Sequence, residues 1–192
     1  HTIKAVIDDT YNIDESNENN NSREESMSVS QAPVNGNGNG LRAEYYDNMD
    51  LTNLKLVRTD PNINFNWGDG SPDPSIGADT FSVRWTGQVQ PRYSGTYTFY
   101  MLSDNGRRVW VNNQLIIDKW IDDWDIEYSG TINLTAGQKY DINVEYFENY
   151  GGANAKLSWS SAQQPKEVIP QSQLYSDPVS SGTLQNGLYR IR

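Results

Sequence analysis

From Phe81 to Trp159 apolar and polar side chains alternate in short runs. Phe81, Val83 and Trp85 alternate with Ser82 and Arg84; Tyr97, Phe99 and Met101 alternate with Thr98 and Tyr100. Tyr140, Ile142, Val144 and Tyr146 alternate with Asp141, Asn143 and Glu145, the clearest case in the chain. A period of two places successive side chains on opposite faces of an extended chain, the mark of a half-buried antiparallel strand. Turn-forming residues separate the runs: Tyr93-Ser-Gly95, Asp104-Asn-Gly106, Val111-Asn-Asn-Gln114, Thr135-Ala-Gly137 and Tyr150-Gly-Gly152. No segment shows a sustained 3.6-residue period with caps. Short strands at short spacing predict an all-β fold, an antiparallel β-sandwich or closed barrel.

The aromatic residues locate the core. All six Trp (67, 85, 110, 120, 124, 159) and all four Phe (65, 81, 99, 147) lie between Leu41 and Ser160. By contrast, Glu15 to Gly40 is rich in Asn and Ser and closes on Asn35-Gly-Asn-Gly-Asn-Gly40. Such a composition buries too little apolar surface to offset the entropy of ordering, and it reads as a flexible linker. A second polar stretch, Ser176-Asp-Pro-Val-Ser-Ser-Gly182, separates the core from the final residues.

Composition narrows the chemistry. The 192 residues carry 25 Asp and Glu against 15 Lys and Arg, a formal charge of −10, which argues against a phosphate-backbone binder. No apolar run approaches the roughly 18 residues a membrane helix needs, so no membrane insertion is expected. With no Cys and a single His at the terminus, thiol nucleophiles, disulfides, Ser–His–Asp catalysis and His-based metal catalysis are excluded as expectations. Among 25 acids some pair at glycosidase spacing arises by chance, so a carboxylate-pair hydrolase has almost no support, and the fragment is read as no enzyme. The start at His1-Thr2-Ile3-Lys4 has no signal-peptide form and, lacking Met, reads as a cut from a longer chain.

The ordered blocks Gly40-Leu-Arg-Ala-Glu-Tyr-Tyr46, Asn66-Trp-Gly-Asp-Gly-Ser-Pro72, Phe81-Ser-Val-Arg-Trp-Thr-Gly87 and Gly95-Thr-Tyr-Thr-Phe99 resemble the PA-fourteen (protective-antigen-type) domain. The likeness continues through Ser103-Asp-Asn-Gly-Arg107, Val109-Trp-Val-Asn-Asn-Gln-Leu-Ile-Ile-Asp118, Ala155-Lys-Leu-Ser-Trp159 and Val168-Ile-Pro-Gln-Ser-Gln-Leu-Tyr175. It implies a β-sandwich or barrel that many members use as a carbohydrate-binding module on glycosidases, adhesins and surface proteins. Residues 1–22 resemble the last two strands of a CARDB domain. Residues 23–39 read as linker, 40–175 as the PA-fourteen sandwich and 176–184 as linker; residues 185–192 resemble the opening strand of a ricin-type β-trefoil.

The same resemblance supplies candidate sites. In its calcium-dependent adhesin branch, two adjacent Asp joined by a cis peptide hold a calcium ion that coordinates sugar hydroxyls; here Asp104 is kept and Asn105 stands second. Calcium accepts an amide oxygen, so the change weakens the site without forbidding it. The competing reading is a type I or I′ turn, to which Asp-Asn-Gly is suited. A second loop, Glu148 to Asn154, would add a side-chain oxygen from Glu148 or Asn149 and carbonyls near Tyr150 and Gly152, with Glu148 restoring the charge lost at Asn105. Arg107, at a family-typical position, would bond a ligand hydroxyl or pair with an acid. In Asp118-Lys-Trp-Ile-Asp-Asp-Trp-Asp125, Trp120 is assigned to the core, whereas Trp124 reads either as a platform for a sugar's apolar face or as a lid over the core. The nearby acids read as a solvated loop before a separate cation site, and residues 60–79 as a structural connection packed by Phe65 and Trp67. The function these features imply is a calcium-assisted carbohydrate-binding module, monomeric within a secreted or cell-surface bacterial multidomain protein, tethering a glycoside hydrolase or surface protein to polysaccharide. The alternative is a structural or adhesion spacer without sugar binding.

Overall fold

The computed structural model describes residues 2–6, 22–26 and 31–176. It divides into two units, His1–Ala32 and Pro33–Arg192. In the first, β1 (Thr2–Val6) and β2 (Ser22–Ser26) pair antiparallel, Thr2 opposite Ser26. The expected trefoil strand, and all but Ser176 of the linker before it, lie outside the described residues.

The second unit is a two-sheet antiparallel sandwich, as the alternation predicts. Its strands are β3 (Leu41–Tyr46), β4 (Leu54–Asp60), β5 (Asn64–Gly68), β6 (Ser82–Val89), β7 (Gly95–Asp104), β8 (Arg107–Val111) and β9 (Gln114–Lys119). They are followed by β10 (Ile126–Leu134), β11 (Tyr140–Phe147), β12 (Ala153–Ser161), β13 (Gln164–Val168) and β14 (Leu174–Tyr175), the last preceded by a 3-10 turn, Gln171–Gln173. One sheet runs β10-β7-β12-β13 with β5 also on β12; the other runs β4-β3-β6-β11-β8-β9 with β14 also on β6.

The residues whose alternation marked them as inward form the core. Val83 and Trp85 of β6, Tyr97, Phe99 and Met101 of β7, Val144 and Tyr146 of β11, and Leu157 and Trp159 of β12 are buried between the sheets. Phe65 stacks on Trp67 at 4.9 Å and on Trp85 at 6.1 Å, so the connection through residues 60–79 is indeed packed by those rings. Asp60, buried at the end of β4, accepts from Tyr45 Oη (2.6 Å), Trp85 Nε1 (2.8 Å) and Arg58 Nε (2.7 Å), which meets the requirement that a buried carboxylate be hydrogen-bonded and paired.

Two expectations need correction here. Residues 34–40 are not a free linker: Val34 N donates to Arg92 O, Gly38 N to Ser172 O and Gly40 N to Leu174 O. The glycines are demanded by contact. A Cβ on Gly36, Gly38 or Gly40 would lie 2.1, 1.9 or 2.1 Å from a backbone oxygen of Ser172, Leu174 or Asp60. Gly38→Ala is therefore expected to cost about 1–3 kcal/mol, the range for overpacking, seen as a lowered melting midpoint; an unchanged midpoint would restore the linker reading. Trp120 is the second correction. It lies past the end of β9 and is only half-buried, edge-on to Phe147 at 4.8 Å with the Arg108 guanidinium 4.1 Å from its ring centroid.

Candidate functional site

Strand β7 ends at Asp104 in one sheet, and β8 begins at Arg107 in the other. The segment Asp104-Asn-Gly106 is therefore a crossover between sheets and not a hairpin turn, which removes the type I′ turn as its explanation. The Asp104–Asn105 peptide is cis. Gly106 passes under Phe147, where a Cβ would lie 2.0 Å from the ring, so no larger residue fits. The Glu148–Gly152 loop makes a second crossover between the sheets, from β11 to β12, and the two loops meet as expected. Asn105 N donates to Phe147 O (3.1 Å), and Asn149 N donates to Asn105 Oδ1 (2.7 Å).

The insert between β9 and β10 closes over both loops. Asp122 accepts from Asn105 Nδ2 at 2.7 Å and from Asn149 Nδ2 at 2.8 Å. From the connection after β5, Asp79 Oδ1 accepts from Gly151 N at 3.0 Å. Four segments distant in sequence thus gather Asp79, Asp104, Asp122, Asp123 and Glu148 at one end of the sandwich.

Two of these carboxylates stand apart from the rest. Asp104 and Glu148 are buried, yet among the described residues Asp104 Oδ1 and Glu148 Oε1 have no hydrogen-bond partner. Burial first, then repulsion from Asp125 and Asp122, raises the Asp104 carboxyl to about 6. Burial first, then repulsion from Asp104, Asp79 and Asp122, raises Glu148 to about 8, while a bond from Tyr146 opposes the shift. Tyr146 Oη lies within hydrogen-bond reach of both Asp104 O and Glu148 Oε2 and joins the two loops from below. Its place at the end of the β11 apolar row, two residues before Glu148, is the only sequence signal for this role. Burial and the two nearby carboxylates push its phenol well above the ordinary value.

The remaining predicted residues divide clearly. Arg107 is fully buried and pairs with an acid, the second of its two readings: Nε donates to Ser103 Oγ (2.6 Å), Nη1 to Asp123 (3.1 Å), and Nη2 to Ser103 O (2.7 Å) and Asn105 O. Both Nη2 protons are thereby spent on carbonyls, so its 2.6 Å approach to Asp123 Oδ1 is an ionic contact. Asn105 is engaged within the protein: its Oδ1 accepts from Asn149 N and its Nδ2 donates to Asp122, so it positions the acidic insert, and an Asp there would face Asp122 with like charge. Asn149 is half-exposed and spends its amide on Asp122, and its carbonyl on Thr80 N. A Cβ on Gly152 would sit 3.8 Å from Asp104 Oδ2, which places that backbone against the carboxylate. Trp124 is 72% exposed and Tyr150 is 69% exposed, so Trp124 closes over nothing.

Unpartnered, buried carboxylate oxygens are hard donors of the kind calcium takes, and this arrangement leaves one on each loop. Among the described residues no three His, Cys, Asp or Glu side chains converge tightly enough to chelate a metal alone, so an ion here would need backbone or water oxygens as well. Asp104 and Glu148 are the residues that fit it.

Comparison with known proteins agrees with this fold and revises the function. The PA14 domain matches residues 37–173, and the chain belongs to that family. It is 58% identical over 136 residues to the Anti-sigma-I factor RsgI3 of Acetivibrio thermocellus, across 71% of this chain and 21% of that protein. A solved anti-sigma factor domain-containing protein superposes with a TM-score of 0.73 at 55% identity, covering 75% of this chain and 50% of that one. A PA14 sugar-binding domain from an RTX adhesin shares the fold, with a TM-score of 0.60 at 16% identity over 73% of this chain and 99% of that one. The chain spans about a fifth of the curated relative it matches. The PA14 match and the anti-sigma relatives agree with the reading of this domain as no enzyme. The expected role as a tether of a glycoside hydrolase is overturned, because relatives at 55–58% identity are anti-sigma factor proteins. Among the described residues no helix is long and apolar enough to cross a membrane.

Proposed function

We propose that this chain supplies the sensing domain of an anti-sigma-factor-type regulator, recognising a saccharide outside the cell at the loop cluster, with calcium held by Asp104 and Glu148. The observation that carries the reading is the pair of buried, unpartnered carboxylate oxygens beside the exposed indole of Trp124. An anti-sigma factor needs an input that relieves its restraint, and a ligand cleft in an appended PA14 domain suits that role. When bound, calcium would offer open coordination positions to ligand hydroxyls. Asp104 and Glu148 would hold it, Tyr146 and Gly152 shape its floor, and Asn105 and Arg107 keep the acidic insert in place. Trp124 and Tyr150 present apolar faces against which the C–H face of a sugar ring stacks.

Calcium at one hundred times its dissociation constant would add about 2.7 kcal/mol to folding, a rise of roughly 5–10 °C in melting midpoint. Asp104→Ala is expected to abolish that rise and calcium-dependent retention in polysaccharide gels while leaving the domain folded. Trp124→Ala is expected to keep the calcium rise and lose the calcium-dependent part of the retention. A wild-type chain with neither a calcium shift nor retention would leave the domain a spacer.

A further inference from the structure

We propose a second saccharide site, independent of the loop cluster, on the outward face of the β4-β3-β6-β11-β8-β9 sheet around Trp110. The inward residues of β8 are Val109 and Val111, so Trp110 points away from the core and forms no part of it. In register, Trp110 lies opposite Asn143 of β11, and Asn143 lies opposite Thr86 of β6. An indole, an amide and a hydroxyl therefore stand side by side across three adjacent strands. On the other flank Leu115 of β9 pairs with Trp110 and is 46% exposed, which widens the apolar floor.

Trp110, Asn143 and Thr86 line a groove of about 310 Å³ together with Gly87, Asn113 and Asp141, and Leu115 extends the apolar surface beyond it. Its size lies within the ~300–1,000 Å³ of small-molecule sites. The β8–β9 turn fixes Asn113 at the rim: Asn112 and Asn113 take φ of 50° and 60°, the pair of positive values a type I′ hairpin needs. On the floor, Asn143 Oδ1 is buried and, among the described residues, has no donor to accept from. Of the Asp141 carboxylate, Oδ1 accepts from Gln88 Nε2 at 3.1 Å, which leaves the other oxygen available.

The chemistry selects the ligand. A flat aromatic surface ringed by amide, hydroxyl and carboxylate groups fits a ring with an apolar face and an equatorial fringe of hydroxyls. Asn143 Oδ1 requires a donor, which a sugar hydroxyl supplies and a phosphate or carboxylate ester does not. The groove is lined by one carboxylate and by no Lys, Arg or His, so the saccharide is a neutral one. Arg108, 5.5 Å from the Trp110 ring, is already engaged by Glu145 at 2.6 Å and by the Trp120 ring.

The test is affinity electrophoresis of the full chain in EDTA through gels of mixed-linkage β-glucan, arabinoxylan, glucomannan and galactomannan, with polygalacturonate as the anionic comparison. The chain, and equally its Asp104→Ala variant, is expected to be retarded by at least one neutral polymer without calcium. Trp110→Ala should weaken that retardation about tenfold or more, and Asn143→Ser should reduce it as well; the latter variant reads the site if the former fails to fold. No retardation by any neutral polymer in EDTA, retention by polygalacturonate alone, or retention untouched by both substitutions would each overturn the proposal. Retention that appears only with calcium and is lost in Asp104→Ala would overturn this second site while leaving the loop-cluster reading intact.

Discussion

Arg107→Met is expected to lower the unfolding free energy by about 3–5 kcal/mol, a fall of roughly 10–20 °C in melting midpoint, the cost of breaking a buried ion pair by removing one partner. The substitution keeps most of the side-chain volume, so little of the loss would come from a cavity. What it removes is the set of donors that hold Ser103 O, Ser103 Oγ, Asn105 O and Asp123. Those acceptors are buried or nearly so, and an unsatisfied buried acceptor carries its full desolvation cost. Asp123 is left as one more uncompensated charge beside Asp104 and Asp122, and the insert that carries Trp124 loses its anchor to the crossover. The measurement is urea or thermal unfolding at neutral pH in EDTA, so that metal binding does not contribute. A variant within about 1 kcal/mol of the parent, but unable to bind saccharide, would instead make Arg107 a ligand contact.

Arg107 also shows where the sequence stops being legible. The strands β6, β7 and β11 could be read because each has one wet and one dry face, and that asymmetry is written locally with a period of two. The destination of the chain after Asp104 is not written locally. Asp-Asn-Gly suits a hairpin turn, and only the pairing of β7 with β10 and β12, and of β8 with β9 and β11, makes it a crossover. The burial of Arg107 depends on Asp123, sixteen residues on in an insert with no periodicity. The partners of Asn105 are unwritten for a related reason: its bonds to Asn149 and Asp122 join loops that lie far apart in the sequence. The run Asn35 to Gly40 misled by composition, since Asn and Gly suggest a linker. Yet its glycines fall at every second position, a strand period in which the absence of a side chain is what the neighbouring backbone requires. Regulatory context was less accessible still, because a loop that senses a ligand and one that tethers it need the same chemistry.

Glu148→Gln is expected to flatten the pH dependence that the loop cluster imposes on the metal-free chain. Glu148 titrates at about 8 and Asp104 at about 6 in the folded protein, both above their unfolded values. Between the unfolded and folded values the native state holds more protons than the unfolded chain, so these groups make stability fall as pH rises. The window opens near pH 4 and closes near pH 8, and Glu148, the more displaced of the two, contributes the larger part of the decline. In EDTA the melting midpoint should therefore drop by roughly 10 °C between about pH 5 and pH 8.5. The variant, uncharged throughout, should show a much flatter profile and melt above the parent at the alkaline end. A cation that takes up the exposed charge reverses the trend, because deprotonated ligands bind it better: calcium should stabilise the parent more at pH 8.5 than at pH 5.5, and the variant little at either. Parallel profiles for parent and variant in EDTA would mean that Glu148 is solvated or paired in the folded chain. The buried, unpartnered oxygen on which the calcium reading depends would then be lost with it.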